Sequence, residues 1–509
     1  MRRRRRWGWA ALIAAAILVI LGVLALIPAL GARTRLLTGR DELENARELL
    51  LSGDLEAASA AFGRAEDAFD EAGGYARSPV LRLGGSVPLA GRSFDAVAVL
   101  ADAGRLAASA GSDLADGIEQ LPGGIADLAP SNSTLPVERI ETLHPAIGDA
   151  RAKLETALAS VRSLPTSWIV GPVADARDRS IAQLEEATGT AAAADALAGA
   201  LPRLVGSEGE RRYFVAAQNP AELRGTGGFM GAYTILTADE GRLDFDRMRS
   251  ITELRDLSPK QAPPAPDGFG EPFAGFGGTG FWRNLNMDPH APTVGRLIEA
   301  LYERVTGVPI DGVIFVDPQG LADMLEATGP IDDPTLDRTL EASSVVDYLT
   351  NEAYAQFGSR ADRKRVLGAA VLGVLRRFLA GTDPVASFRA LADAGAGGHL
   401  IVHSRDPEVQ AALEAAGVAG TVDAPRAGDV FGAFASNADG TKIDFYVRRS
   451  LSYRVDLGEG GGSTAQVALR AENTAPKHPD GSYVFGPYPG TGLGPGVSEA
   501  FLSMHCAPG

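Results

Sequence analysis

The chain has 509 residues, of which 45% are hydrophobic and 22% are charged. This balance is typical of a globular protein, and the length exceeds what one core normally holds, so about two or three domains are expected. The formal net charge of −16 disfavours nucleic acid as a partner of the body of the chain. The sequence contains one cysteine, Cys506, which excludes an intrachain disulfide.

A basic cluster and a long apolar run open the chain. Residues 2–6 are arginines and the next charged residue after them is Arg33, so the run over residues 10–30 can cross a ~30 Å hydrocarbon layer as a helix. The denser basic cluster precedes this span, and the positive-inside rule therefore predicts a cytoplasmic head over residues 1–9 and an extracytoplasmic remainder. A cleaved signal peptide is the alternative, but the apolar run is longer than the usual signal core, which favours a single-pass anchor in the cell membrane.

Alanine-rich sequence with helical spacing occupies residues 40–205. The apolar positions that recur on either side of a Gly-Asp break are Leu43, Ala46 and Leu50, then Ala58, Phe62, Ala65 and Phe69. They predict a helical hairpin within a bundle of several helices. A tetratricopeptide unit is the alternative, but no second copy follows at that period.

Strand and helix patterns alternate over residues 209–435. Apolar runs at 212–218, 229–237 and 310–316 predict strands, whereas 293–305 and 320–327 predict helices. This order predicts an α/β core domain with a mainly buried sheet. Proline and Phe-Gly repeats between residues 258 and 280 predict a long loop, which is either a lid or binding element or a passive surface loop.

Residues 436–509 predict a small β-rich C-terminal region. Alternating patterns at 443–447, 453–457 and 466–471 indicate strands, and residues 458–463 form a plausible hairpin connection. The last residues, 503–509, have no obvious cap or closing strand, which indicates a shortened version of a longer chain.

A glycine-rich polar turn, residues 219–229 (NPAELRGTGGF), lies between the first two predicted strands. Glycines let the main chain approach a ligand closely, and an arginine beside them offers a planar fork to an oxyanion. The turn therefore predicts a phosphate or carboxylate site contacted by Arg224, Gly225, Gly227 and Gly228. A structural ion pair between Glu222 and Arg224 is the alternative.

Five segments carry a resemblance to a known family: 218–224 (QNPAELR), 226–229 (TGGF), 282–288 (WRNLNMD), 311–318 (DGVIFVDP) and 328–330 (TGP). They resemble the actinobacterial domain of unknown function 4012 family. The resemblance implies a membrane-anchored envelope protein, often thought to accompany surface-polysaccharide genes, with no settled activity.

A more distant resemblance implies a mechanism. Residues 306–311 (TGVPID), 320–325 (GLADML) and 328–331 (TGPI) are similar to the central segment of the LytR-CpsA-Psr phosphotransferases, and 250–256 (SITELRD) and 362–365 (DRKR) are loosely similar to two of their motifs. Those enzymes face outward and move a glycopolymer from a polyprenyl-pyrophosphate carrier onto the cell wall. The resemblance implies a LytR-CpsA-Psr-like α/β core, with arginines on the pyrophosphate and an acidic residue near a divalent cation.

Candidate roles follow from that chemistry. Fixed guanidinium groups and Mg²⁺ would stabilise the charge that grows on the leaving oxygen of a pyrophosphate. The candidate catalytic residues are Arg224, Arg255 and Asp256; the candidate metal ligands are Asp256 and Asp317; and the further candidate ligand contacts are Gly225, Gly227, Gly228, Arg283, Arg363 and Arg365. The structural alternatives are that residues 363–365 form the solvated edge of a helix, and that Asp317 ends a strand with ordinary Asp-Pro turn chemistry.

The sequence lacks the familiar motifs of several other catalytic chemistries. The sequence contains no G-x-S-x-G elbow, no P-loop and no H-E-x-x-H helix. His399 and His403 flank a predicted strand, where residues four apart lie about 13 Å from each other and would not chelate one ion.

Two functions therefore compete. The leading hypothesis is the handling of envelope glycopolymers or their polyprenyl-pyrophosphate carriers by metal-assisted phosphoryl transfer, with the membrane and a lipid-linked glycopolymer or cell-wall component as partners. Its rival is a non-catalytic module that binds or scaffolds envelope components. Clustering of Arg224, Arg255, Asp256 and Arg363 around one cleft would distinguish them.

Overall fold

The computed structural model describes residues 30–77, 88–167, 169–267, 269, 273, 275–336, 338–381, 383–422, 431–438, 440–458, 462–477, 479, 482–486 and 490–506. The span predicted over residues 10–30 lies outside this part of the chain, apart from Leu30, which begins the first helix. Within the described ranges, no helix is both long and apolar enough to cross a membrane.

A helical bundle precedes the sheet, and each of its helices packs on the next in sequence. The helices are α1 (Leu30–Ser52), α2 (Leu55–Ala76), α3 (Pro88–Glu119), α4 (Val137–Arg162) and α5 (Gly171–Leu204). Gly53 lies between α1 and α2 with φ of 84°, a left-handed conformation that suits glycine at the turn. All seven positions predicted to face a core in α1 and α2 are buried, so the predicted helical hairpin is confirmed.

Glycines let the helices of the bundle approach closely. A Cβ atom on Gly111 of α3 would lie 2.3 Å from the Phe62 ring, and one on Gly39 of α1 would lie 2.7 Å from the Phe69 ring. These two rings are fully buried in a core that consists mainly of alanine. The large rings therefore fill space that the small residues leave open.

A mixed sheet forms the centre of the second half of the fold. Its strands are β1 (Arg211–Asn219), β2 (Phe229–Asp239), β3 (Arg242–Phe245), β4 (Arg249–Ser250), β5 (Gly312–Val316) and β6 (Leu400–Ser404). The order is β3-β2-β1-β5-β6, and β4 also pairs with β2. Strands β1 and β5 are parallel, and the other pairs are antiparallel.

Both faces of the sheet are covered, as the sequence predicted. Tyr213 and Val215 of β1 point into one hydrophobic cluster, whereas Phe214 and Ala216 point into another, as the period of two along a strand requires. The helices of this half are α6 (Ala291–Thr306), α7 (Pro318–Thr328), α8 (Ala342–Asp347), α9 (Ala353–Gln356), α10 (Arg360–Leu379), α11 (Pro384–Ala396) and α12 (Pro407–Ala415). Residues of α6 join the second cluster and residues of α7 and α10 join the first, so the mixed α/β architecture is a layered one.

Two antiparallel ribbons end the described chain: β7 (Phe431–Asn437) with β10 (Ala500–Cys506), and β8 (Val447–Leu457) with β9 (Ser463–Asn473). The predicted hairpin between residues 453 and 471 is confirmed. The strand predicted at 443–447 is wrong, because Ile443–Tyr446 form a 3₁₀ turn. Residues up to Cys506 pair as a strand although none was expected there, and β7 crosses the boundary placed after residue 435.

Candidate functional site

The glycine-rich turn between β1 and β2 is folded into the protein rather than exposed. Asn286, which is fully buried, donates from Nδ2 to Thr226 Oγ1 at 2.9 Å and to the Gly228 carbonyl at 2.8 Å. Gln218 Nε2 also donates to Thr226 Oγ1, at 2.6 Å. Hydrogen bonds from the side-chain amides of Asn286 and Gln218 thus hold the turn in place.

The turn glycines are explained by this packing. A Cβ atom on Gly225 would lie 2.3 Å from the Met287 carbonyl oxygen, and one on Gly228 would lie 2.5 Å from the Asn219 carbonyl carbon. Gly227 has φ of 125°, which an L side chain rarely adopts. The close approach that suggested a ligand is therefore an approach of main chain to main chain at Gly225 and Gly228.

Arg224 is enclosed, with only 6% of the residue exposed. Its Nε donates to the Arg283 carbonyl (3.4 Å) and its Nη1 to the carbonyls of Leu223 (2.8 Å) and Asn437 (3.2 Å). Its Nη2 donates to Glu222 Oε1 at 3.2 Å and to Asn284 Oδ1 at 3.4 Å. All five guanidinium N–H groups thus have protein acceptors, and the structural pairing with Glu222 is the interpretation that the geometry supports.

A buried lysine completes this ion pair. Lys442 is 1% exposed, and its Nζ lies 2.9 Å from Glu222 Oε2. It also lies 5.2 Å from the ring centroids of both Phe229 and Tyr354. Burial disfavours the ammonium, but the attraction of the Glu222 carboxylate outweighs it and raises the pKa of Lys442. Glu222 therefore lies between two cations that hold the turn to the C-terminal residues.

A second carboxylate strengthens the same junction. Asp444 Oδ2 accepts from the Leu223 backbone N–H at 3.0 Å and from Asn437 Nδ2 at 2.9 Å, and Asp444 Oδ1 accepts from Arg449. The chain around residues 437–449 is thereby bonded directly to the turn. We call the cluster of Glu222, Arg224, Lys442 and Asp444 the buried ionic network.

Arg363 lies at the outer end of this network. Its guanidinium lies 5.0 Å from the Tyr354 ring and 5.4 Å from the Tyr483 ring, and these two rings stack with centroids 5.9 Å apart. Its Nη1 also donates to the Phe357 carbonyl at 3.2 Å. Tyr354 therefore contacts both Arg363 and the buried Lys442, and through these contacts Arg363 is joined to the surroundings of Arg224.

Arg255 and Asp256 lie at the neck of the long loop. The Arg255 carbonyl accepts from Trp282 Nε1 at 3.1 Å, and Asp256 Oδ1 accepts from the Trp282 backbone N–H at 3.0 Å. The Leu257 N–H donates to the Gly280 carbonyl at 2.9 Å, which closes the neck further. Arg283 follows Trp282 in the chain, and its guanidinium lies over the Phe281 ring, 4.6 Å from the ring centroid.

The loop itself packs on the C-terminal ribbon. Phe273 and Phe276 place their rings edge-on against Phe501 of β10, at 5.9 and 5.1 Å. Asn284 Nδ2 donates to the Phe276 carbonyl at 2.9 Å. Phe273 and Phe276 therefore anchor the loop on β10.

Asp317 occupies a different place, at the start of α7. Its Oδ1 accepts from the backbone N–H groups of Gln319 (2.8 Å) and Gly320 (3.0 Å), as a helix N-cap does. Its Oδ2 lies 2.8 Å from His399 Nδ1, and although burial opposes the charged imidazole, this contact raises the pKa of His399. Both carboxylate oxygens thus have partners within the fold.

The Mg²⁺ site stays a prediction, and its two candidate ligands lie in different surroundings. Asp256 is exposed and has one carboxylate oxygen bonded to Trp282, whereas Asp317 is used as a helix cap. Among the described residues, no group of three or more His, Cys, Asp or Glu side chains is arranged to hold a metal ion. Of the two candidate ligands, Asp256 is therefore the one that is not used as a helix cap.

A surface cluster joins the two segments that resemble phosphotransferase motifs. Lys364 Nζ donates to Ser250 Oγ, and to Thr252 Oγ1 at 3.2 Å, although 114 residues separate Ser250 from Lys364. The two hydroxyl oxygens lie 2.9 Å apart. Ser250 and Lys364 are partly exposed, so ligands can reach this cluster from solvent.

Charged side chains of both signs lie near Lys364. Burial of the side chain and then the charge of Arg360 lower the pKa of Lys364, the charge of Glu253 opposes them, and the charge of Arg363 adds to the lowering. Arg365 is exposed, 3.8 Å from Asp362. We call Ser250, Thr252, Arg360, Arg363 and Lys364 the Lys364 surface.

The structure thus separates the predicted residues into distinct places. Arg224 lies inside the buried ionic network, Arg255 and Asp256 at the loop neck, and Asp317 with His399 at α7. Lys364 and Lys442 were missed as site residues. The rarity of lysine is the signal that could have identified them, because the sequence contains five lysines among 48 lysine and arginine residues.

Fold and site together define a mixed α/β protein with an N-terminal helical bundle and a cationic surface beside its sheet. Residues 208–354 match the model of a family described as "Protein of unknown function (DUF4012)". The match includes the turn, the loop and Ser250, and it supports the resemblance to that family. No curated protein and no solved structure matches the chain.

Proposed function

We propose that this protein handles phosphate-bearing components of the cell envelope, either glycopolymers or their polyprenyl-pyrophosphate carriers, by binding them at the Lys364 surface. One observation carries the proposal: Lys364 contacts the hydroxyls of Ser250 and Thr252, which brings together two motif segments that are remote in sequence.

The chemistry of the surface suits a phosphate. Lysine is a common point-charge ligand for phosphate, and serine and threonine hydroxyls can donate hydrogen bonds to its oxygens. Lys364 has two arginines, Arg360 and Arg363, within electrostatic reach, against one carboxylate, that of Glu253. In a chain with net charge −16, such a local excess of cations favours an anionic ligand.

The proposal includes the location derived from the N-terminal sequence. An anchor over residues 10–30, with residues 1–9 in the cytoplasm, would keep the α/β domain on the outer side of the cell membrane. A polyprenyl carrier lies in the same membrane, so tethering would raise the effective concentration of one for the other.

Phosphoryl transfer of the LytR-CpsA-Psr type is the second candidate, and binding without catalysis is its alternative. The approach of residues 250–252 to residue 364 favours transfer, because both segments resemble motifs of those enzymes. The enclosure of Arg224 favours binding alone, since that guanidinium has five protein acceptors. Where transfer occurs, Asp256 is the residue that would hold Mg²⁺, which would neutralise charge on the phosphates.

Calorimetric titration of the purified full chain tests the proposal. The ligands are inorganic pyrophosphate and a short-chain polyprenyl-pyrophosphate analogue, each with and without Mg²⁺. We expect binding by wild type and at least about tenfold weaker binding by Lys364→Met, which is a loss of about 1.4 kcal/mol. The exposed Lys260→Met is the matched control and should bind as wild type does.

The proposal fails if folded wild type binds neither ligand, or if Lys364→Met binds both as tightly as wild type. Release of polyprenyl phosphate during the same incubation would favour transfer. Binding without release would favour the non-catalytic module. Affinity should also fall as salt is raised, because the surface is exposed to solvent.

A further inference from the structure

The contact between Lys364 and Ser250 has the arrangement of a nucleophile and its base. Lys364 Nζ is within hydrogen-bond distance of Ser250 Oγ, and Thr252 Oγ1 is within reach of both atoms. Serine becomes a nucleophile when an adjacent group removes its proton, and lysine serves as that group in Ser-Lys enzymes. The pair is partly exposed, so an electrophile can approach it.

We propose that Ser250 is a nucleophile activated by Lys364, and that the Lys364 surface transfers glycosylphosphoryl groups through a covalent ester on Ser250. This inference rests on the proposed function, because it takes its substrate, a pyrophosphate-linked glycan, from there. It adds a covalent step that binding alone does not require.

The step balances as follows in atoms and charge. Neutral Lys364 removes the Ser250 hydroxyl proton while Oγ attacks the phosphorus that carries the glycan. The bond from that phosphorus to the bridging oxygen breaks, and polyprenyl phosphate leaves. An acceptor hydroxyl then attacks the same phosphorus and gives its own proton to water, the bond from phosphorus to Ser250 Oγ breaks, and the proton on Lys364 returns to Oγ.

The surroundings of Lys364 support a role as base. Burial and the charges of Arg360 and Arg363 lower the pKa of Lys364, so the neutral amine is more accessible than in an ordinary lysine. Glu253, on the turn that holds Ser250, is the opposing charge. The same arginines could stabilise the negative charge of the phosphorus centre.

A purely structural role is the competing explanation. Ser250 caps the short 3₁₀ turn at residues 251–253, accepting from the Thr252 N–H at 3.3 Å, and its own N–H donates to Glu253 Oε1 at 3.1 Å. Lys364 would then simply fasten α10 to this turn. The two roles differ in chemistry, because a cap has no reason to react with a phosphorus electrophile.

Labelling with a fluorophosphonate distinguishes them. Oγ would form a bond to phosphorus, the phosphorus–fluorine bond would break, fluoride would leave, and Lys364 would take the proton. Intact mass and peptide mapping of the full chain give the extent and position of labelling. The variants are Ser250→Ala and Lys364→Arg; the controls are Ser258→Ala and Lys260→Arg, both at exposed positions of the nearby loop.

We expect wild type and both controls to gain one adduct on Ser250, and Ser250→Ala to gain none there. Lys364→Arg keeps a positive charge but cannot act as base, so labelling should slow by about 100-fold or more. The wild-type labelling rate should rise with pH and reach half its maximum below the ordinary lysine pKa, a response that a structural cap would not give.

Two results would overturn the inference: wild type that remains unlabelled on Ser250, or Lys364→Arg that labels at the wild-type rate with the same pH profile. Pyrophosphate binding is measured on the same preparations. Binding without labelling rejects the covalent step and keeps the proposed function, whereas loss of binding in wild type rejects the proposed function itself.

Discussion

Replacing the buried lysine, Lys442→Met, should destabilise the α/β half of the protein strongly. Lys442 is 1% exposed and lies 2.9 Å from Glu222, which is itself 4% exposed. Removing one partner of a buried pair typically costs about 3–5 kcal/mol, because the other charge stays buried. Arg224 remains 3.2 Å from Glu222, so we expect the lower end, about 3 kcal/mol.

Urea unfolding monitored by tryptophan fluorescence gives the value, because Trp282 is buried in the same half of the chain. The exposed Lys477→Met is the control and should change the free energy of unfolding by less than about 0.5 kcal/mol. A loss below about 1 kcal/mol in Lys442→Met would refute the reasoning, since it would mean that Glu222 is solvated or already neutralised by Arg224.

Three further substitutions test separate parts of the fold. Gly111→Ala places a methyl group 2.3 Å from the Phe62 ring, so the bundle should lose about 1–3 kcal/mol by thermal unfolding; an unchanged midpoint would contradict the close packing. Gly225→Ala should lower the yield of folded protein, because its Cβ would lie 2.3 Å from a carbonyl oxygen; a normal circular dichroism spectrum and midpoint would argue against it. The pKa of His399 is raised, so the contribution of its contact with Asp317 is complete below about pH 6.5 and is lost as pH rises through the folded-state pKa. His399→Gln should therefore destabilise more at about pH 5.5 than at about pH 8.5, and an equal effect at both would count against the pair.

Periodicity predicted the elements well because burial in this fold follows it. The faces predicted for α1 and α2 are buried. Two strands around the glycine-rich turn pair as expected. The failure at 443–447 has a physical reason: Ile443 and Asp444 are buried to reach the turn, and that requirement replaces the strand by a 3₁₀ turn.

The site was harder to predict, because its contacts join residues far apart in the chain. A turn with glycine and arginine has the same sequence pattern whether it binds a ligand or the protein's own main chain. The two cases are distinguished by the carbonyl of Met287, which lies against Gly225, and by the carbonyl of Asn437, which accepts from Arg224. The contact between Lys364 and Ser250 could not be predicted from the sequence, because it depends on α10 lying against β4 in the folded protein. The chemical nature of the surface therefore came from the tertiary structure.

The most direct test of the account is a hydrogen-exchange footprint of the polyprenyl-pyrophosphate analogue on the full chain. We expect slowed exchange in peptides covering residues 249–254 and 359–366 of wild type, and no such change in Lys364→Met. Protection confined to the glycine-rich turn at 219–229, with the Lys364 surface unchanged, would contradict it and return the anion site to the place that the sequence alone suggested.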